Sequence, residues 1–185
     1  MICWKCKESI QSPVCVGCGT IQPPPPKPDY FVIFGIPKSY FIPDLGPKYR
    51  SLSRQLHPDR FVSKTAVERR MSLLWTASIN EAKRCLEDPI SRARYLATGS
   101  AHIQEDKKIV LSAEFLEHIF DLQMQAMDNP QQTQEQARVE CEEEWTHLNN
   151  IFTQWEQDGD DLRLQDVETV LARIKYLGNL TQPKG

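Results

Sequence analysis

Four cysteines within the first 18 residues form two Cys-x-x-Cys pairs, and these are the residues of the chain best suited to bind a metal. The pairs are Cys3 with Cys6 and Cys15 with Cys18. Each pair can place two thiolates around one ion, and two pairs complete a tetrahedral site of four sulfur ligands. Zinc is the predicted metal, and iron in a rubredoxin-like setting is the less favoured one. Because four protein ligands leave no open coordination position, the predicted role of the metal is structural.

A redox dithiol or a chance cluster is the alternative interpretation of these four cysteines. The segment is too short to be held together by burial of apolar side chains, which favours a metal. Gly17 and Gly19 flank Cys18 and permit the tight turn that such a site needs. The other two cysteines, Cys85 and Cys141, fall on apolar helix faces and are predicted to be core thiols.

A second polar group, His57-Pro58-Asp59, follows a basic helical segment. Pro58 cannot continue that helix and biases His57 away from helical geometry, so the sequence predicts a turn. The imidazole and the carboxylate could in principle transfer protons. Neither a nucleophile nor a glycine-rich phosphate loop accompanies them in the sequence, which favours a binding role over catalysis. Nearby positive charge comes from three arginines: Arg50, Arg54 and Arg60.

The elements that must position these groups are predicted to be helices, since hydrophobic periodicity follows the helical repeat and no alternating stretch indicates a strand. Residues 1–22 form the cysteine module, and the proline-rich residues 23–28 form a stiff linker. Asp29 is placed to cap a short helix that Gly35 ends. The other predicted helices span residues 44–57, 66–86, 89–98, 111–127, 134–155 and 164–180. The last three predict an antiparallel bundle.

Two predicted helices carry apolar stripes that bear on function. In helix 66–86 the predicted core stripe is Val67, Met71, Leu74, Ser78, Ala82, Cys85 and Leu86. In helix 111–127 the predicted core stripe is Phe115, Ile119, Leu122 and Ala126. A second stripe on that helix consists of Leu116, Phe120 and Met124, which are four residues apart. It indicates either a helix buried on two faces or a face offered to a partner.

Charge is distributed unevenly along the chain. Residues 1–100 carry 15 Lys/Arg and 8 Asp/Glu, a net +7, whereas residues 101–185 carry 7 and 17, a net −10. Opposite signs favour two partners of different character. No stretch has the length of a membrane span or the pattern of a secretory or transit peptide. We therefore expect a cytoplasmic protein, a monomer or weak dimer without a membrane partner; a processed form in the mitochondrial matrix is the alternative.

Motifs that accompany the tripeptide occur in one order along residues 29–185. They are Asp29-Tyr30-Phe31 with Phe34-Gly35-Ile36-Pro37, His57-Pro58-Asp59-Arg60-Phe61, Ser78-Ile79-Asn80-Glu81-Ala82, Asp88-Pro89 with Arg92-Ala93-Arg94-Tyr95-Leu96, Phe115-Leu116, and Lys175-Tyr176-Leu177. Together they resemble the HscB family, the J-type co-chaperones of iron–sulfur cluster assembly. Tandem Cys-x-x-Cys pairs also precede the J domain in many members of that family.

The resemblance implies a mostly α-helical protein: a small zinc knuckle, a J domain at 29–100, and next to it a three-helix antiparallel bundle at 101–185. It implies a co-chaperone, not an enzyme. The tripeptide and the three arginines would contact an HscA/DnaK-type chaperone and stimulate its ATP hydrolysis. The bundle would bind an IscU-type scaffold protein through six residues: Leu116, Phe120, Asp121, Met124, Asp128 and Tyr176. Glu117 and Met124 depart from the family's usual pattern of Met and Glu at these positions.

Three alternatives stay open from the sequence. The chain could be a J-domain co-chaperone for a different client, which the departures at Glu117 and Met124 allow. It could be a zinc-containing nucleic-acid-binding protein, although the acidic second half and the lack of aromatic residues in the basic segment disfavour a nucleic-acid partner. It could also be a thiol-redox or iron-handling enzyme that uses Cys3 and Cys6, which a four-sulfur zinc site argues against.

Overall fold

The computed structural model describes residues 2–102 and 109–181, and these are mostly helical, as predicted. Among the described residues, β-type pairing is confined to two isolated bridges in the cysteine module. The helices are α1 (Tyr30–Phe34), α2 (Gly46–Leu56), α3 (Ala66–Glu87), α4 (Pro89–Thr98), α5 (Ala113–Asp128), α6 (Pro130–Asp158) and α7 (Val167–Thr181), with 3-10 turns at Pro58–Phe61 and Asp161–Asp166.

Most helix boundaries agree with the prediction, and the differences have local causes. Helix α6 begins at Pro130, four residues before the predicted start, because a proline at the first helical position loses no intrahelical hydrogen bond. The last helix begins at Val167 because the residues before it adopt a 3-10 turn. The chain divides into two compact units, one up to Pro89 and the other from Ile90 onward.

In the first unit, α2 and α3 run antiparallel and are joined by the turn that contains the tripeptide. The Ser72 hydroxyl on α3 donates a buried 2.6 Å hydrogen bond to the Leu56 carbonyl at the end of α2. Near the other end of the pair, the Tyr49 hydroxyl donates to the Asn80 side-chain oxygen at 3.0 Å. These two bonds fix the register of the two helices and therefore the position of the turn between them.

The buried face of α3 differs from the predicted stripe. Val67 and Leu74 are 55% and 46% exposed, whereas Ser72 and Trp75 are buried beside Ile79. The two polar side chains can be buried because each has a partner: Ser72 binds the Leu56 carbonyl, and the Trp75 indole binds a carbonyl in the cysteine module. The predicted stripe was wrong at these positions because those partners lie far away in sequence.

In the second unit, α5, α6 and α7 pack against one another, and consecutive helices run antiparallel. On α6, Leu148 and Phe152 are fully buried and Trp155 nearly so. Arg94 Nε on α4 donates to both carboxylate oxygens of Glu168 on α7, at 2.9 and 3.2 Å. Within residues 2–102 and 109–181, no helix has both the length and the apolar character that crossing a membrane requires.

Candidate functional site

The cysteine module consists of two similar knuckles, twelve residues apart in the sequence. In each knuckle the first cysteine donates its N–H to the carbonyl five residues later, and its carbonyl accepts from the N–H four residues later, all at 2.8–3.0 Å. One isolated β-bridge closes each knuckle: Ile2 with Ser9, and Val14 with Ile21. The repeated backbone geometry presents the two cysteine pairs in equivalent ways.

The residue after each second cysteine has a left-handed backbone conformation, which lets the chain reverse. In the second knuckle this residue is Gly19, with φ 67°. In the first it is Lys7, with φ 66°, where a side chain costs roughly 1–2 kcal/mol. The Lys7 ammonium donates to the Trp4 carbonyl at 3.0 Å. At Gly17 a methyl group would meet only the Glu8 carboxylate, the end of an exposed and flexible side chain that can move aside.

The four sulfur atoms lie within 4.8 Å of one another. Cys3 Sγ is 3.7 Å from Cys18 Sγ, and Cys6 Sγ is 3.5 Å from Cys15 Sγ. Sulfur ligands at about 2.3 Å from a tetrahedral zinc ion are about 3.8 Å apart, so the described geometry fits one four-coordinate ion. The predicted cluster of four cysteines is therefore confirmed, and it could hold a metal ion.

Local hydrogen bonding separates the acidities of the thiols. Burial opposes ionisation of Cys3, but the backbone N–H groups of Cys6 and Lys5 favour the thiolate and bring its pKa to about 6. The Thr20 side chain and backbone lower the pKa of Cys18. The backbone at Glu8 favours the Cys6 thiolate, yet burial and the neighbouring thiols raise the pKa of Cys6 to about 12. Thiolates are the metal-binding form, so the hydrogen bonds at Cys3 and Cys18 favour metal binding.

Gln22, which the sequence analysis did not single out, lies just beyond the fourth cysteine and is only 2% exposed. Its side-chain amide donates to Cys3 Sγ at 3.3 Å and to the Thr20 carbonyl at 2.8 Å. Its side-chain oxygen accepts from the Trp4 N–H at 3.1 Å. The sequence carries no signal for this role, because the burial of an amide depends on fixed partners that only the folded structure brings together.

The predicted turn at His57-Pro58-Asp59 is confirmed in the backbone, where His57 is extended and Pro58 begins a 3-10 turn. The buried Phe61 side chain anchors that turn. The Asp59 N–H donates to His57 Nδ1 at 3.3 Å. The same nitrogen lies 3.4 Å from the Asp59 carboxylate, a contact that is an ion pair only when the ring is protonated.

Both ends of the tripeptide face solvent, with side-chain exposures of 55% for His57 and 85% for Asp59. The three predicted arginines are also exposed. Arg54 Nε donates to the Arg50 carbonyl at 3.3 Å, and Arg60 Nη1 contacts the Arg54 carbonyl at 3.5 Å. The structure thus brings the polar tip and its arginines together along one side of α2 and the following turn. The arrangement can offer charge and hydrogen bonds to another molecule.

The second apolar stripe of α5 is exposed, which separates it from the bundle core. Leu116, Phe120 and Met124 are 45%, 60% and 51% exposed, whereas Ile119 and Leu122 on the core side are 4% and 1% exposed. Met127, which the sequence analysis did not include, is 79% exposed and lies seven residues after Phe120 on the same face. We call Leu116, Phe120, Met124 and Met127 the α5 stripe.

The predicted neighbours of the α5 stripe are exposed as well. Asp121 and Asp128 lie on α5 and, by helical spacing, border one side of the stripe. Tyr176 on α7 is 42% exposed, and its ring meets the Phe115 ring edge-on at 6.5 Å. The Arg173 guanidinium lies over the same Phe115 ring, 5.4 Å from its centre. An apolar face bordered by carboxylates has the composition of a protein-binding surface.

Comparison with known proteins supports the resemblance to the HscB family that the motifs indicate. The co-chaperone protein HscB homolog of Bordetella avium is 37% identical over 91 residues, which is 48% of this chain and 54% of that protein. The iron-sulfur cluster co-chaperone protein HscB homolog of Arabidopsis thaliana is 29% identical over 177 residues, 94% of this chain and 69% of that protein. The alignment with the bacterial relative thus spans about half of its length. No family model matches the chain.

The fold comparison covers both units. The crystal structure of human co-chaperone protein HscB superposes with a TM-score of 0.75 and 22% sequence identity, covering 97% of this chain and 94% of that one. The helical fold predicted from the sequence is therefore confirmed. The predicted resemblance to the HscB family is confirmed by the curated relatives that carry this name.

Proposed function

We propose that this chain, a relative of the HscB co-chaperones along nearly its whole length, is an adaptor that delivers an IscU-type iron–sulfur scaffold protein to an HscA/DnaK-type chaperone and stimulates ATP hydrolysis by that chaperone. The chain has no catalytic role of its own in this proposal. The observation that carries it is the exposed His57-Pro58-Asp59 tip, which is held by α2 and α3 and flanked by arginines.

The tip suits an acidic partner surface. Arg50, Arg54 and Arg60 are exposed close to the tripeptide, and complementary charge accelerates association and sets the orientation of the bound partner. Pro58 and the bond from the Asp59 N–H to His57 fix the shape of the tip before binding, which lowers the entropy lost on association. We therefore assign chaperone binding to the tripeptide and these arginines.

The α5 stripe suits the scaffold. Large exposed apolar side chains in one row are unusual on a folded surface unless they meet a partner. The stripe supplies apolar area, while Asp121 and Asp128 at its border supply orientation through charge. Tyr176 extends the exposed surface across to α7. We assign scaffold binding to the six predicted residues and add Met127.

The four-cysteine cluster supports the fold of the module in this proposal. The four sulfur atoms and their spacing suit zinc better than a metal with an open coordination position. When bound, the metal supplies four bonds that hold two knuckles whose own buried apolar side chains are few. We assign zinc a structural role.

The experiment is titration of the chain into an HscA- or DnaK-type chaperone while ATP hydrolysis is measured, with scaffold binding measured separately by calorimetry. We expect a saturable acceleration of hydrolysis and a one-to-one complex with an IscU-type scaffold. Acceleration without any scaffold binding would point to a J-domain co-chaperone for a different client. Absence of acceleration at a saturating concentration of the chain would contradict the proposal.

A further inference from the structure

We propose that Gln22 couples metal binding at the four cysteines to the stability of helix α3, through the hydrogen bond that its backbone carbonyl accepts from the Trp75 indole. This inference concerns the inside of the first unit and goes beyond the proposed function. It assigns positioning roles to two residues, Gln22 and Trp75, that are not among those assigned to the proposed partner surfaces. It holds for any metal that the four sulfurs bind.

The side chain of Gln22 reaches the metal ligands. Its amide N–H donates to Cys3 Sγ at 3.3 Å, and its oxygen accepts from the Trp4 N–H, the residue after Cys3, at 3.1 Å. A hydrogen bond to a coordinating thiolate orients that ligand and stabilises its negative charge. Gln22 is therefore placed to hold the first cysteine in its metal-binding position.

The backbone of Gln22 reaches α3. Trp75 Nε1 donates to the Gln22 carbonyl at 2.7 Å, and both residues are almost fully buried, at 5% and 2% exposure. The two residues are 53 positions apart in the sequence. A buried indole N–H needs a partner, because an unpaired one loses its hydrogen bond to water without compensation. The helix therefore depends on the position of Gln22.

The charge of the module also acts on α3. The pKa of Glu68, in the first turn of α3, is lowered first by the Thr65 side chain and in smaller part by the charges of Lys64 and Lys5. Lys5 lies between Cys3 and Cys6, so positive charge in the first knuckle favours the ionised form of Glu68.

The coupling follows from how the module is held together. Its knuckles have few buried apolar side chains, so loss of metal lets them open. Gln22 then loses the fixed position set by Cys3 and Trp4, and Trp75 loses its acceptor. A ligand that binds the docked state more tightly stabilises every element that the docked state orders. By the same linkage, an intact α3 must raise the metal affinity of the module.

Hydrogen exchange of the full chain, loaded with Zn²⁺ or stripped by a chelator, tests the coupling. We expect zinc removal to speed exchange in residues 2–22 and also in peptides of α3 around Trp75, the latter by on the order of fivefold or more. Peptides of α6 and α7 should exchange equally in both states. Equal exchange around Trp75 with and without zinc would overturn the proposal.

One conservative variant and its control test whether the Trp75 indole bond transmits the effect of zinc to α3. Trp75→Phe removes the indole N–H, so zinc removal should now affect residues 2–22 and leave exchange in α3 unchanged. Trp155→Phe is the matched control, because it removes an indole bond of similar length, to Asp161 at 3.0 Å, within α6 and the following turn. It should preserve the effect of zinc on α3. A zinc effect of undiminished size in the Trp75→Phe chain would overturn the proposal.

A separate experiment tests the hydrogen bond between the Gln22 side chain and Cys3 Sγ. Gln22→Leu removes the bond to Cys3 Sγ but keeps the backbone carbonyl that Trp75 uses. We expect faster release of Zn²⁺ to a coloured chelator than from the wild-type chain. Gln11→Leu, at an exposed position of the same module, is the matched control and should release zinc at the wild-type rate. Identical release rates for all three chains would show that Gln22 does not position the ligand.

Discussion

The polar tip at His57-Pro58-Asp59 and the apolar α5 stripe are both exposed, but they differ in what holds them and in what they offer. The tip is a single 3-10 turn, fixed by Pro58, the buried Phe61 and the hydrogen bond from the Asp59 N–H to His57, and it offers charge and hydrogen-bonding groups. The stripe lies on a regular helix whose opposite face is buried in the bundle, and it offers apolar area.

This difference predicts different responses to substitution. A tip that acts through its shape and a few polar groups should fail when one of those groups changes, even if the fold is unaltered. A stripe that acts through area should weaken in steps as side chains are shortened. The two surfaces lie in different compact units, so each should be removable without loss of the other's binding.

The largest effect is expected for His57→Gln, which should reduce ATPase stimulation to the level of the chaperone alone. Glutamine keeps polarity and approximate size but lacks the ring that meets the Asp59 N–H. Scaffold binding by calorimetry should be unchanged. The matched control is His147→Gln on α6, whose side chain is 54% exposed against 55% for His57, and which should stimulate normally. An equal loss of ATPase stimulation in both variants would show that the effect does not come from the His57-Pro58-Asp59 tip.

The next effect is expected for the double variant Leu116→Ala with Phe120→Ala, which should weaken scaffold binding and leave stimulation by the tip intact. Removing two large contact side chains costs on the order of 2.8 kcal/mol, or about a hundredfold in Kd. Leu162→Ala is the control, because Leu162 is 68% exposed in the same unit but outside the stripe. Wild-type affinity in the double variant would show that the α5 stripe does not bind the scaffold. Loss of the helical circular-dichroism signal would show that Leu116 and Phe120 belong to the bundle core.

A smaller effect is expected for Arg54→Ala with Arg60→Ala. Exposed charges at the rim of an interface change the association rate and its salt dependence by a few-fold, which corresponds to about 1 kcal/mol. We expect slower chaperone binding at low salt and little difference from wild type at high salt. Arg138→Ala on α6 removes an exposed arginine from the other unit and should leave chaperone association unaltered. A salt-independent loss would argue against charge as the cause.

The smallest effect is expected for Thr65→Ala, at the end of the tip where α3 begins. The Thr65 side chain accepts from the Glu68 N–H at 3.2 Å and donates to the Glu68 carboxylate at 2.8 Å, so its removal should cost about 1 kcal/mol of unfolding free energy. The Thr65 side-chain bond is the first cause of the lowered pKa of Glu68. This part of the stability is present above the ordinary pKa of 4.5 and is lost as pH falls through the lowered folded-state value.

Denaturant unfolding at several pH values measures that difference. Ser112→Ala is the matched control, since the Ser112 hydroxyl caps α5 by accepting from the Phe115 N–H at 3.3 Å and contacts no glutamate through that bond. It should cost a similar free energy at neutral pH, and that cost should change less on acidification. The same pH dependence in both variants would assign the acid-sensitive stability to groups other than Glu68.

The sequence predicted the local features because each depends on neighbouring residues. Asp29 and Gly35 cap α1 as expected, and the two cysteine pairs converge as their spacing indicated. For Leu116 and Phe120, helical spacing left two interpretations open: a surface for a partner or part of the core. Spacing shows that the two side chains share a face, but not whether a neighbouring helix covers that face. The positions of α6 and α7 decide it.

The features that sequence reasoning missed depend on distant partners. Sequence spacing does not predict the burial of Trp75 on α3 or of Gln22, because the hydrogen bond between them joins residues 53 positions apart. Ser72 was missed for the same reason, since its buried hydroxyl is satisfied by the carbonyl of Leu56 on another helix. From sequence alone, a polar side chain is predicted to be exposed unless a buried hydrogen-bond partner for it is known. Met127, in contrast, could have been predicted from helical spacing, and it completes the α5 stripe.

The most direct test asks whether one molecule of this chain both binds the scaffold and stimulates the chaperone. It measures single-turnover ATP hydrolysis by an HscA-type chaperone with the chain alone, the scaffold alone or both. We expect the chain alone to accelerate hydrolysis and the pair to accelerate it further than either component does. We also expect the extra acceleration to disappear in Leu116→Ala with Phe120→Ala, and all acceleration by the chain to disappear in His57→Gln. Hydrolysis at the chaperone's own rate, with wild-type chain and scaffold both saturating, would contradict the adaptor role.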